Sequence, residues 1–108
     1  MYHIEITAPA ERDILEAARY INEQLLNPSA ANRLLDKAEE AIASLSDMPK
    51  RYALVRDETL AQSGIRLMPV LNYLVFYTVR DKRNCVVIQR FLYKKRDWTS
   101  ILIADPPG

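Results

Sequence analysis

An α+β fold is predicted: an N-terminal strand, an antiparallel α-hairpin, then a three-stranded antiparallel meander, forming one sheet with the helices on one face. Three observations predict it. Met1 to Thr7 alternates with the period of a half-buried strand. Pro9 to Leu45 carries two apolar stripes of helical period, broken once at Asn27-Pro28. Ile65 to Leu92 then falls into three short runs rich in Val, Ile, Tyr and Phe, separated by turn residues. Each helical stripe needs an apolar sheet face to cover it, which makes the order β-αα-βββ a two-layer sandwich with its other face partly open. At 108 residues the chain has room for one core, so residues 1–108 are read as a single domain, with 103–108 a frayed tail.

The elements follow in order. Tyr2, Ile4 and Ile6 share one side of the first strand, and His3, Glu5 and Thr7 share the other. Thr7 can cap the first helix, and Pro9 suits a first turn because its missing N–H has no partner there anyway. Ile14, Ala17, Ala18, Ile21 and Leu25 recur at helical spacing, so the helix is expected to reach Leu26. Asn27 caps the second helix and Pro28 opens it, with Leu34, Leu35, Ala38, Ala41, Ile42 and Leu45 on its inner stripe. Ser46 to Gly64 reads as a polar connection. The strands are Ile65–Val70, Tyr73–Val79 and Cys85–Leu92, with the nearly all-apolar Tyr73–Val79 in the centre. Pro69 lacks a ladder donor and predicts an interruption or bulge in the first of the three. A two-residue turn at Leu71-Asn72 sets Arg66 opposite Tyr77; one further turn residue would reverse that relation. At most one helical turn is expected at Asp97–Leu102.

Composition and charge narrow the function. At 49% hydrophobic and 27% charged, the chain has the make-up of a folded globular protein. No apolar run is long enough to span a bilayer and no leader opens the chain, so a cytoplasmic protein without membrane contact is expected. The lone Cys85 reads as a small buried thiol, and one His with one Cys is too few soft ligands for zinc. No metal or cofactor is expected. The net charge of +1 conceals a split: residues 1–48 hold nine acids against four cations, and residues 49–108 hold eleven cations against five acids. Between Arg80 and Arg96 stand seven cations and one acid, Asp81. Such a split suits an electropositive face for nucleic acid or an acidic partner, and it equally suits two halves that neutralise each other on packing.

The densest stretch is "RFLYKKRDW" (Arg90–Trp98). Its structural reading is a solvated strand end in which Asp97 pairs with Arg96 and Trp98 seals the core edge. Its functional reading is a surface for phosphates or carboxylates. Lys94, Lys95 and Arg96 favour the latter, because three adjacent like charges repel and gain little from surface pairing.

That stretch, together with "AERDILEAARYI" (Ala10–Ile21) and "NYLVFY" (Asn72–Tyr77), resembles the RelE/ParE superfamily of type II toxin–antitoxin toxins, from Tyr2 to Leu102. The resemblance implies a small bacterial protein that arrests growth, stabilising its plasmid or locus, unless a cognate antitoxin lays a helical or extended segment along it. One branch cleaves messenger RNA on the ribosome; the other poisons DNA gyrase. Arg66 and Arg96 match basic residues of the nuclease branch, and Lys95 stands beside Arg96. Metal-free cleavage needs a proton moved off the 2′-hydroxyl and cations on the phosphorane. Leu74 and Leu102 stand where that branch carries an arginine and often a tyrosine, and leucine can do neither task. Tyr73, Tyr77, Tyr93 and His3 are open as substitute acids or bases, or as core and rim residues. Arg66 is likewise open between a structural salt bridge and a phosphate contact. The expectation is therefore a gyrase-directed, non-nucleolytic toxin meeting target or antitoxin through Arg66, Arg90, Lys94, Lys95 and Arg96. The alternative is a ribosome-dependent mRNA endonuclease using Arg66, Lys95 and Arg96. A chain that has lost toxicity and only binds an antitoxin is the third reading.

Overall fold

Thr7 decides where the first strand stops. It is extended, and its hydroxyl accepts the Ala10 N–H at 3.1 Å, so strand β1 (His3–Ile6) gives way at once to helix α1 (Ala8–Glu23) with Pro9 in its first turn. The computed structural model describes residues 1–106. Helix α1 ends three residues before the expected Leu26. Leu26 adopts φ 50°, and the Asn27 amide returns to the Ile21 carbonyl at 3.2 Å, a left-handed closure that leaves Leu25 outside the helix and 57% exposed. Asn27 accepts the Ala30 N–H at 3.1 Å and starts helix α2 (Pro28–Ser44) as the sequence predicts.

The sheet has the order β1-β4-β3-β2, with β2 (Arg66–Val70), β3 (Tyr73–Arg80) and β4 (Cys85–Tyr93) forming the expected antiparallel meander and β1 joining β4 in parallel. The two-residue turn at Leu71-Asn72 sets Arg66 opposite Tyr77. Pro69 does not interrupt β2. It lies on an edge strand, and the Val70–Tyr73 pair that closes the turn is the hydrogen-bonded one, so the proline nitrogen faces away from β3 and no ladder bond is lost. The irregularity falls on β4 instead: Phe76 pairs with Arg90 and Tyr77 with Ile88, leaving Gln89 unmatched as a bulge. The buried Gln89 carboxamide donates to the Thr78 hydroxyl at 3.1 Å, so the bulge strands no polar group.

One layer of core lies under the hairpin. Ala17, Leu34, Ala38, Ile42 and Leu45 meet Met68, Val75, Tyr77, Val86, Ile88 and Phe91 there. Removing a side chain such as Leu34, 1% exposed, costs about 2–5 kcal/mol in such a core. The opposite face is more covered than expected. The connection 46–64 holds a 3₁₀ turn (Pro49–Arg51) and a short helix, α3 (Glu58–Gln62), capped by Asp57. After β4, helix α4 runs Trp98–Ala104, two residues past the predicted turn, so Ile103 and Ala104 are helical; Pro107 and Gly108 of the expected tail lie outside the described residues. Trp98, Ile101 and Leu102 share a helix face and close over Phe76, Leu92, Leu60 and Ile65.

Candidate functional site

The five cations that the sequence singles out have different surroundings. Arg90 points into the seam between α1 and β4: its Nε donates to Asp13 Oδ2 at 2.7 Å and its Nη2 to Oδ1 at 3.0 Å. Asp13 also accepts the Phe91 N–H at 3.0 Å, and this hydrogen-bonded carboxylate holds the Arg90 pKa above its ordinary value. Arg90 thus serves the fold. Among the described residues Arg66 forms no ion pair; its Nη1 donates to the carbonyls of Tyr52 at 2.7 Å and Lys50 at 3.3 Å, fixing the 3₁₀ turn against β2. Lys94, Lys95 and Arg96 are exposed, and among the described residues their side chains have no hydrogen-bond or ion-pair partner. Asp97 does not pair with Arg96. It caps α4, accepting the Ser100 N–H at 3.3 Å and hydroxyl at 2.7 Å. Trp98 does seal the core edge, its ring 5.2 Å from that of Phe76.

Part of the charge split is neutralised internally. Arg83 pairs with Glu5 at 2.9 Å across the two halves, as Arg90 does with Asp13, and Lys50 pairs with Asp81 at 2.6 Å within the basic half. Asp81 also accepts from the Tyr2 hydroxyl at 2.9 Å. The buried Cys85 thiol donates to Glu5 at 2.9 Å. That hydrogen bond, then Arg83, pulls the Glu5 carboxyl below its ordinary value, while burial pushes the thiol up. The thiol is correspondingly unreactive. Among the described residues, Lys94, Lys95 and Arg96 form a run of adjacent cations without an ion-pair partner, whereas Arg56 and Lys82 are unpaired singly.

Beside that run lies a groove of about 590 Å³ between the C-terminal half of α1 and the ends of β3 and β4. Its floor is aromatic: Tyr73 stacks on Phe91 at 5.0 Å and meets Tyr93 edge-on at 5.6 Å. Ala17, Ile21 and the exposed Tyr20 and Leu25 form the other wall, and Arg96 stands at the rim. Burial raises the Tyr73 phenol, and burial likewise raises Tyr77, whose hydroxyl donates to the Pro49 carbonyl at 2.6 Å. Both tyrosines are neutral near pH 7, Tyr73 lining the groove and Tyr77 lying in the core. Sequence reasoning found the aromatics and Arg96 but missed the α1 wall. The available signal was Tyr20, a large ring lying off the apolar stripe of its helix.

Arg66 and Arg96 do not converge. Arg66 is level with Tyr77, and Arg96 follows Tyr93, which is level with Tyr73. At about 3.3 Å per residue along the strands and about 4.8 Å across each of two lanes, the backbones of Arg66 and Tyr93, three residues before Arg96, stand on the order of 16 Å apart. Leu74 and Leu102 both pack in the apolar cluster over the outer sheet face.

The fold has known counterparts. In the chromosomal ParDE toxin–antitoxin system of P. aeruginosa, the matched chain superposes with a TM-score of 0.70 at 17% identity, covering 86% of this chain and 96% of that one. The RelBE2 toxin–antitoxin complex of Mycobacterium tuberculosis matches with a TM-score of 0.59 at 25% identity, over 85% and 96%. The isolated E. coli RelE toxin matches with a TM-score of 0.57 at 13% identity, over 96% and 97%. No curated protein sequence matches significantly. The family model described as "ParE toxin of type II toxin-antitoxin system, parDE" matches residues 4–98, nearly the whole of the two-layer core and the basic run. The chain therefore belongs to the ParE toxin family of type II toxin–antitoxin systems.

Proposed function

We propose that this toxin arrests growth in the cytoplasm by docking on DNA gyrase, not by cutting message, and that a cognate antitoxin holds it inactive. The separation of Arg66 from Arg96 carries this reading. A scissile phosphate needs cations converging on the oxygens where charge builds, within hydrogen-bond reach of one another's ligand. Here Arg66 is occupied by backbone carbonyls, and its backbone stands on the order of 16 Å from that of Tyr93, three residues before Arg96. Leu74 and Leu102, set among apolar side chains, offer no proton and no charge. Lys95 and Arg96 then serve as docking charges, together with Lys94.

The test is a supercoiling assay with purified gyrase run beside a translation extract, each with purified toxin. Failing supercoiling with intact message is the expected result. Message cut at codon boundaries with supercoiling unaffected would establish the ribosomal alternative, in which Arg66, Lys95 and Arg96 contact RNA.

A further inference from the structure

Strand β1 closes the sheet on one side, and its two edges differ. The His3 amide bonds to the Asn84 carbonyl at 2.9 Å and the Thr7 amide to the Ile88 carbonyl at 3.1 Å, so odd-numbered residues turn their backbone groups toward β4. Even-numbered residues turn theirs to the open edge. There the Tyr2 amide meets the Ser46 carbonyl at 2.9 Å, and after Thr7 the chain departs into α1. Between these two stops lie Ile4 and Ile6. Among the described residues, nothing on the open side bonds to the N–H or C=O of either. Their side chains lie on the hairpin face, lining a hollow of about 440 Å³ with Leu35 and Ile42 of α2, and Ile6 is 46% exposed. No proline or lysine guards this edge.

We infer that the open edge of β1 takes the same edge of a second copy, antiparallel about a two-fold axis at Glu5, joining two sheets into one. The inference does not depend on which target the toxin meets. In this register Ile4 stands opposite the second copy's Ile6 as a hydrogen-bonded pair, and the same pair recurs across the axis. Each pair exchanges both its N–H···O=C bonds, so every vacant edge group of Ile4 and Ile6 is met. Length selects this occupant: a longer extended segment would run into Ser46 at one end and α1 at the other. A second β1 is as short as the lane. The same barriers fix the register, because Ile4 opposite Ile4 would press Ile6 against the place that Ser46 fills. Ile4 opposite Ile6 instead sets Tyr2 of each copy across from Ala8 of the other, where that chain is already helical. Both hairpins then share one face, and the exposed Ile6 of each copy is covered by Ile4 of the other. On the opposite face the two Glu5 carboxylates meet, each already paired with its own Arg83 at 2.9 Å. A lane this short buries less than the about 800 Å² per partner of a stable complex, so the dimer is half-formed only at about 100 µM.

The experiment sediments the full chain from about 10 µM to about 1 mM and follows amide exchange in ¹⁵N-labelled protein across the same range. A monomer–dimer equilibrium is expected. The Ile4 and Ile6 amides should exchange about fourfold more slowly at the upper concentration, with the Thr7 amide, which faces β4, unchanged. Ile6→Lys sets a charge in the seam and should keep the chain monomeric throughout, with its far-UV circular dichroism unaltered. The milder Ile6→Thr should raise the dissociation constant about tenfold, since each change counts twice across the axis. A chain that stays monomeric at about 1 mM overturns the inference, as does a dimer undiminished in both variants. A dimer that protects the Tyr93 amide and leaves Ile4 and Ile6 as they were would assign the contact to β4, and overturns it equally.

Discussion

Replacing Asp13 with alanine isolates the carboxylate that joins α1 to β4. Its side chain is 9% exposed and that of Arg90 is 17% exposed. Two of its bonds go to the guanidinium and one to the Phe91 amide. The alanine variant leaves Arg90 in the seam with Asp105, exposed and 3.9 Å away, and the more distant Glu16 as opposite charges. Stranding one partner of a buried pair costs about 3–5 kcal/mol. The residual exposure of Arg90 and the nearby Asp105 argue for the lower end of that range. The unpaired Phe91 amide adds about 1 kcal/mol. A loss of about 3–4 kcal/mol is a large part of a typical domain's stability. It should lower Tm by roughly 12 °C for a domain of this size. Urea unfolding followed by far-UV circular dichroism measures it directly. The double variant D13A/R90M should recover much of the loss, because no charge is then left behind. A single-variant loss under about 1 kcal/mol, or a double variant no more stable than D13A, would refute the reasoning.

Tyr77→Phe should destabilise by about 1–2 kcal/mol in urea titration, because the Pro49 carbonyl loses the Tyr77 hydroxyl as its donor inside the core. Stability should also fall in acid. Lys50's hydrogen bond, then Tyr2's, lowers the Asp81 carboxyl, and Cys85, then Arg83, lowers Glu5. Carboxyls that bind protons less readily when folded contribute fully above their ordinary range, and that contribution fades as pH falls below about 4. Urea midpoints measured from neutral pH downward should show this decline, and Asp81→Asn should flatten it.

Local signals made most of the fold legible. Thr7 with Pro9 and Asn27 with Pro28 marked both helix starts, and the Leu71-Asn72 turn placed Arg66 opposite Tyr77. Helix α3 escaped notice because five residues are too few for a period to register. The end of α1 was misplaced because Leu25 fits the apolar spacing, while the left-handed Leu26 that breaks the helix is not a glycine or asparagine. At the site, the run Lys94–Arg96 was visible as a block of like charge. The distinction between those three and Arg90 was not, since it depends on Asp13, 77 positions away in the chain. Arg66 was undecidable for a similar reason: its partners are backbone carbonyls, which carry no sequence signature.

Gln89 makes the length of β4 a functional quantity. Val86 and Ile88 reach the hairpin from even-numbered positions, yet Phe91 reaches it from an odd one. The phase of the strand changes once, between them. Delete that one residue and the ladder closes without a break, Ile88 opposite Tyr77 and Arg90 opposite Phe76, so Phe91 and Tyr93 keep the hairpin side. The bulge is thus a spare residue that can absorb a one-residue loss along β4 without turning the groove floor over. A second loss, with no bulge left to take it up, would exchange the two faces of the strand beyond it.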